Sequence, residues 1–223
     1  MKTDLSMIRL WQLISPALPI GSFSYSQSLE YAIDSGNLKT RQDVESWLIT
    51  QMQFGLAPLD LALVYRLITA WHQDDIDSVH HWNDIALAFR ETAELYNEDC
   101  QVGYALSRLL TDLQIKEAEQ WMQTKVSYLT MYALVCDRWK INTDDAVAGF
   151  LWAWSENMVA AAVKLLPMGQ TDGQKLLMRL GDEIEPVCDL ARTTDDENLG
   201  TTLPGLAMAS AFHETQYSRL FRS

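Results

Sequence analysis

Apolar residues recur along most of the chain at the three- and four-residue spacing of helices that bury one face. After Thr40, for example, Val44, Trp47 and Leu48 follow this spacing, and Thr40 with Asp43 has the arrangement of a helix cap. Similar segments, separated by Pro, Gly and Asn-Thr-Asp signals, lie at about residues 4–14, 25–35, 59–72, 75–89, 91–112, 116–138, 143–166, 174–191 and 205–220. Runs in which apolar and polar residues alternate are too short to predict β-strands. The pattern predicts an all-α fold, a single-domain bundle of about eight to ten helices over residues 1–223.

Two loops between the predicted helices carry turn signals and a candidate cap. In the first, which follows two prolines, Ser24 and Gln27 have the spacing of a capping box, and Thr171 and Gln174 repeat it in the second. The start of a helix can also bind an anion or a carboxylate of a partner. Both loops are therefore candidate partner contacts, through Gly21, Phe23, Tyr25 and Gln27 in the first and Gly169, Thr171 and Asp172 in the second.

The end of the chain joins an acidic stretch to an apolar and basic tail. Residues 193–200 are polar and acidic, and we predict a mobile loop there before the last helix. Chain ends are ordinarily disordered unless something holds them, and large apolar side chains left in water favour aggregation. Residues 205–223 are therefore predicted to form a C-terminal docking helix and tail.

One face of this last helix is expected to contact a partner. At about 100° per residue, an arc of about 80° contains Leu206, Ala209, His213, Tyr217 and Leu220. We expect this row to pack in a helical groove, with Arg222 making charge-assisted bonds at the rim and Phe221 as an adjacent anchor. His213 is expected to be a hydrogen-bonded packing residue. The candidate partner-binding residues of the tail are His213, Glu214, Gln216, Tyr217, Arg219, Leu220, Phe221 and Arg222.

Composition and charge narrow the function classes. The chain has 223 residues, of which 48% are hydrophobic, and this suffices for a buried core. Its net charge of −13 repels phosphate backbones and anionic lipids, so neither nucleic acid nor membrane is an expected partner. The sequence has no run of about 18 apolar residues, and residues 1–4 lack the apolar stretch of a signal peptide. These features predict a cytoplasmic protein.

Residue types that carry metal, nucleophilic or phosphate chemistry are sparse. The 3 cysteines show no Cys-x-x-Cys spacing, and the adjacent His80 and His81 point in different directions on a helix. The sequence contains neither a P-loop nor a Gly-x-Ser-x-Gly motif. We expect no catalytic residue, no metal site and no cofactor.

Asp74, Asp75 and Asp77 provide an alternative function, that of a helical enzyme which binds a phosphorylated ligand through magnesium. Their spacing differs from the Asp-Asp-x-x-Asp pattern that places three carboxylates on one face. Acids are also favoured in the first turn of a helix by the helix dipole. An enclosed pocket around these carboxylates would favour the enzyme, whereas a solvated helix start excludes it.

Four segments in this order resemble the urease accessory protein UreF family. They are residues 15–25 with Gln27, Leu29 and Glu30; residues 90–95; residues 167–174; and residues 208–210 with 213–223. Together they span nearly the whole chain. Ser22 stands where the family more often has a second glycine, and Met168 stands where leucine is usual.

The resemblance implies an all-α chaperone that is not an enzyme. Members of this family dimerise and join UreD, also called UreH, and the GTPase UreG on apo-urease. That assembly couples GTP hydrolysis to nickel insertion and lysine carbamylation in the urease active site, and the partners handle GTP and nickel. A variant of this role has Arg219 or Arg222 acting on UreG as an arginine finger.

Overall fold

The computed structural model describes residues 4–200 and 202–223. These residues form eleven α-helices, one π-helical segment and three short 3-10 helices, with no strand among them. The α-helices are α1 (Leu5–Leu13), α2 (Leu29–Asp34), α3 (Arg41–Gln51), α4 (Ala62–His72), α5 (Ile76–Ala88), α6 (Ala93–Asp112), α7 (Tyr128–Arg138), α8 (Thr143–Leu165), α9 (Gln170–Gly181), α10 (Ile184–Arg192) and α11 (Pro204–His213). The all-α prediction is confirmed.

Helix α7 forms the centre of the bundle, packed between α4 and α6. Every residue from Leu129 to Cys136 is buried, as expected of a helix surrounded on all sides. Gly103 allows α6 to lie close to the backbone that leads into α7, because a Cβ at this position would lie 2.3 Å from the carbonyl oxygen of Val126. Helix α8 packs against α9, α10 and α2.

Helices α3 and α4 are joined by the π-helical segment Met52–Leu61 into one rod, Arg41–His72. The predicted cap at its start is confirmed, because Thr40 and Asp43 form a reciprocal capping box. Pro58 lies within the π-helical segment, where its missing N–H breaks the regular hydrogen-bond ladder. Arg41–His72 and Thr143–Leu165 are both long and apolar enough to cross a membrane, but 61% of the apolar window is buried in each, which is typical of core helices.

Two long helices predicted from the sequence are each divided in the structure. Residues 116–138 form a 3-10 helix, Lys116–Gln123, and then α7, which Ser127 caps through the N–H of Leu129. Residues 174–191 belong to α9 and α10, which separate at residues 182–183. This break places Pro186 in the first turn of α10, where its missing N–H is not needed for helical hydrogen bonds.

Both capping boxes predicted in the loops are wrong. Helix α9 begins at Gln170 with Gly169 as its N-cap, so Thr171 lies inside the helix and makes no cap. Helix α2 begins at Leu29, after Gln27 and Ser28 adopt positive φ angles of 48° and 71°. Gln27 instead extends its amide into the bundle.

Candidate partner-docking site

The last residues fold back onto the first loop of the chain. The N–H of Ser26 donates to the carbonyl oxygen of Ser223 at 2.9 Å, and the N–H of Arg222 donates to Ser24 at 2.9 Å. The Ser26 hydroxyl donates to the same Ser223 oxygen at 2.6 Å. These bonds order the tail against the first loop.

Glu30, a buried residue of α2, holds the tail by its main chain. Its Oε1 accepts from the N–H of Leu220 at 2.6 Å, and its Oε2 accepts from the N–H of Phe221 at 2.9 Å. Both bonds use a charged acceptor and belong to the stronger class of hydrogen bonds. The same Oε2 lies 3.3 Å from His213 Nε2. One carboxylate therefore fixes both the end of α11 and the tail.

Glu94 of α6 makes a second anchor. His213 Nδ1 lies 2.7 Å from Glu94 Oε2, and Arg219 Nη1 donates to Glu94 Oε1 at 2.7 Å. His213 is completely buried between the Glu30 and Glu94 carboxylates. The structure thus agrees with a packing role for His213. Arg219 forms an ion pair with Glu94 of the same chain.

Glu98, one turn further along α6, joins the tail to the first loop. It accepts from the Ser223 hydroxyl at 2.6 Å and from Gln27 Nε2 at 2.8 Å, while Gln27 Oε1 accepts from Trp154 Nε1 at 2.7 Å. Burial raises the pKa of Glu98 to about 7, opposed by the two hydrogen bonds and by the charge of Arg90. The positive φ of Gln27 is held by these contacts.

Arg90 occupies the base of the network. It donates to Asp60 at 2.8 Å and to Asp99 at 2.9 Å, and these two carboxylates keep its pKa raised against the effect of burial. Asp99 also accepts from the Ser127 hydroxyl and from the N–H of Tyr128 at 2.7 Å. The network therefore connects the π-helical segment, α6 and the start of α7.

The apolar row predicted along a final helix is wrong, because α11 ends at His213. Beyond it, main-chain N–H groups donate to Glu30 and Ser24, so they are not available to continue the helix. Ala209 and His213 face inward, and Phe221 is only 6% exposed, with Lys164 over its ring. Phe221 is thus an anchor on its own bundle.

Four large apolar side chains of the same segment point outward, and we call them the tail patch. They are Met208, Phe212, Tyr217 and Leu220, each at least half exposed. Phe212 stacks on Tyr31 of α2 with ring centroids 5.4 Å apart. Met208 and Phe212 are one turn apart on α11 and share a face, and contiguous exposed apolar surface is typical of sites that bind other proteins.

The other candidate residues fall into separate places. In the first loop Gly21 has a φ of 77°, Phe23 is 60% exposed, and the hydroxyl of the buried Tyr25 donates to Gln101 at 2.8 Å. Asp172, predicted in the second loop, lies in the first turn of α9 and pairs with Lys175 on the surface. Within the described part of the chain, no hydrogen bond or ion pair joins the second loop to the tail.

The remaining tail residues are exposed to different degrees. Glu214 and Arg222 are exposed, and Gln216 is half-buried with its amide donating to the carbonyl of Ser218. The acidic residues 193–200 contact the bundle through Arg66, which donates to Asp196 and to the carbonyl of Thr194. The mobility of this loop stays a prediction.

The alternative magnesium site does not form. Asp75 caps α5 by accepting from the N–H and hydroxyl of Ser78, and its pKa is lowered by those bonds. Asp74 is exposed and pairs with Arg138. In residues 4–200 and 202–223 no group of three or more His, Cys, Asp or Glu side chains is arranged to hold a metal ion. The three aspartates lie at a solvated helix start and not in an enclosed pocket, which contradicts the magnesium-site alternative.

Sequence reasoning missed the carboxylates that organise the site. Glu30 lies beside the buried residues Leu29 and Ala32 of α2, so a charged residue at an apolar position was the available signal. Glu94 and Glu98 are one turn apart on α6 and share a face. Their partners are 71 residues or more away in sequence, and spacing rules do not reach that far.

Similarity to known proteins extends over nearly the whole chain. The UreF family model matches residues 38–181. A urease accessory protein UreF from Alkalilimnicola ehrlichii is 50% identical over 223 residues, covering 98% of this chain and 96% of that protein. Proteins of the same name from Hahella chejuensis and Teredinibacter turnerae are each 46% identical, covering 98% and 97% of this chain and 99% and 98% of those proteins.

Proposed function

Because the chain belongs to the UreF family of urease accessory proteins, we propose that it matures urease as an adaptor that joins UreD (UreH) and UreG on apo-urease. In this proposal it promotes GTP-dependent nickel insertion in the cytoplasm without a cofactor of its own, and its partners handle GTP and nickel. It is an accessory protein and not an enzyme.

The observation that supports the adaptor role is the tail patch. The buried carboxylate of Glu30 and the partly buried carboxylate of Glu94 fix the segment that carries it, although Met208, Phe212, Tyr217 and Leu220 stay at least half exposed. A fixed apolar surface loses less conformational freedom on binding than a flexible tail does. We therefore propose that the tail patch contacts UreD.

Capture by purified UreD tests this surface. The double variant Met208→Ser and Leu220→Ser removes two exposed side chains, so circular dichroism should show an intact fold, while UreD binding falls at least tenfold and urease activation is lost. Met178→Ser on α9 is the matched control, because Met178 is also exposed, at 69%. Normal binding by the tail-patch variant would place the UreD contact elsewhere.

We further propose that the protein is a homodimer, as the family resemblance implies. Helix α1 offers a second exposed apolar row, Leu5, Ile8 and Trp11, beside the buried Leu10 and Leu13. Sedimentation at micromolar concentration should show a dimer, and a monomer both with and without partners would reject this proposal.

A further inference from the structure

A cavity of about 180 Å³ opens beside the buried polar network. Its mouth includes the exposed residues Ser22, Phe89 and Glu91, and its floor includes the buried residues Val102 and Phe150. A dry cavity of ~150 Å³ is large enough to hold benzene in another protein, so this space accommodates a small organic molecule.

The wall of the cavity contains a polar group without a partner. Gln51, at the end of α3, is 5% exposed and lines the cavity, and its Nε2 has no hydrogen-bond acceptor in the described part of the chain. Buried side-chain amides are nearly always hydrogen-bonded, so an unpaired donor beside a cavity indicates an acceptor supplied from outside. Water or a ligand would be that acceptor.

The groups around the cavity argue against three classes of ligand. Asp60, Asp99, Glu98 and Glu91 line it, whereas Arg90 is paired with Asp60 and Asp99, so the field opposes an anion. A metal ion is disfavoured because no ligand cluster occurs in residues 4–200 and 202–223. A simple ammonium ion has only N–H donors and leaves the Gln51 donor unsatisfied.

The backbone of the cavity wall is itself irregular. Gly55, Leu56, Leu59 and Asp60 belong to the π-helical segment, and all four line the cavity. Short π-helical insertions are rare and occur frequently at functional sites. This irregularity is a second observation, independent of the unpaired amide.

We propose that this cavity binds a small uncharged molecule with a carboxamide-like head and an apolar body. Its carbonyl oxygen accepts from Gln51 Nε2, and its N–H groups donate to carboxylate oxygens such as those of Glu98. Its apolar body packs against Leu59, Val102 and Phe150. The site lies outside the tail patch, so it is a property of this chain that does not depend on the proposed partners.

Titration calorimetry of the full chain with three matched probes tests the proposal. Benzamide has the required head and body, benzoate replaces the head with a charge, and toluene has no head. We expect one benzamide per chain, bound at least tenfold more tightly than benzoate or toluene, with a shift of the Trp154 indole N–H resonance, because Trp154 lines the cavity.

Gln51→Leu provides the variant and Gln42→Leu the control, because Gln42 is exposed on the same helix. Gln51→Leu should weaken benzamide at least tenfold without weakening toluene. It should also raise the melting temperature of the free protein, since it removes an unpaired buried donor. Gln42→Leu should change none of these.

Three results would overturn the proposal. Benzoate binding as tightly as benzamide would indicate an anion site, and equal binding of toluene would indicate a merely apolar cavity. Saturation by none of the probes would mean that the cavity holds only water. If Gln51→Leu does not fold, the ranking of the three probes on the unaltered chain still decides.

Discussion

Replacing Glu30 by glutamine should release the tail while the helical bundle stays folded. The carboxylate accepts two main-chain hydrogen bonds, from Leu220 and Phe221, and a neutral amide has only one oxygen to offer them. Its NH₂ group would face the second N–H. The tail therefore loses one hydrogen bond and the charge on the other.

The size of the effect follows from the strength of bonds to charged groups. Each contributes about 1.5–3 kcal/mol, and a neutral bond about 1 kcal/mol, so the substitution costs the docked tail about 2–5 kcal/mol. At about 1.4 kcal/mol per factor of ten, the population of the released tail rises roughly 30-fold to several thousand-fold. Burial of Phe221 and the bonds of Ser223 oppose release but are unchanged by the substitution.

Hydrogen exchange of the Leu220 and Phe221 amides measures this population directly, because exchange reports local opening. Protection should fall by the same factor in Glu30→Gln, while the amides of α7 keep theirs. Glu214→Gln is the control, since Glu214 is exposed and next to His213. Unchanged protection at residues 220 and 221 would refute the role assigned to Glu30.

Three further predictions concern stability. The raised pKa of Glu98 means that the folded protein holds this proton more tightly than the unfolded chain does. The free energy of unfolding should therefore fall as pH rises from about 5 to 8. Urea denaturation at several pH values should show a smaller fall in Glu98→Gln. Thr40→Ala should lose about 1 kcal/mol of unfolding free energy, whereas Thr171→Ala should change it by no more than about 0.5 kcal/mol, because of these two only Thr40 caps a helix. Equal losses for the two variants in chemical denaturation would contradict this. Gly103→Ala should cost about 1–3 kcal/mol or more, measured by thermal melting, because its Cβ would collide with the backbone at Val126, and a wild-type melting temperature would disprove that contact.

Periodicity predicted the helical class well because an amphipathic helix is a local pattern. The capping box of Thr40 was also predictable, since all its atoms lie within one turn. At Thr171 the same pattern failed, because the helix starts two residues earlier than that cap requires and Gly169 takes the cap position. Residue spacing identifies a cap only when the first helical residue is known.

The site was less predictable because long-range contacts decide it. Leu220 and Phe221 are apolar residues at helical spacing from α11, but the carboxylate that takes their N–H groups comes from Glu30, 190 residues or more away. The family resemblance included the first loop, the start of α6 and the tail, which the structure brings together. It did not show which side chains face inward, and burial makes Phe221 an anchor on its own bundle instead of on a partner.

The bond between Ser26 and Ser223 has a kinetic consequence, because its partners are 197 residues apart in sequence. Contacts between distant residues form slowly, whereas helices and their neighbours form early. The bundle can therefore assemble before the tail closes onto it, and the last step orders only the segment after α11. The surface formed by Met208, Phe212, Tyr217 and Leu220 then takes its final shape last, so that a chain reaches the arrangement suited to a partner only after its core is complete.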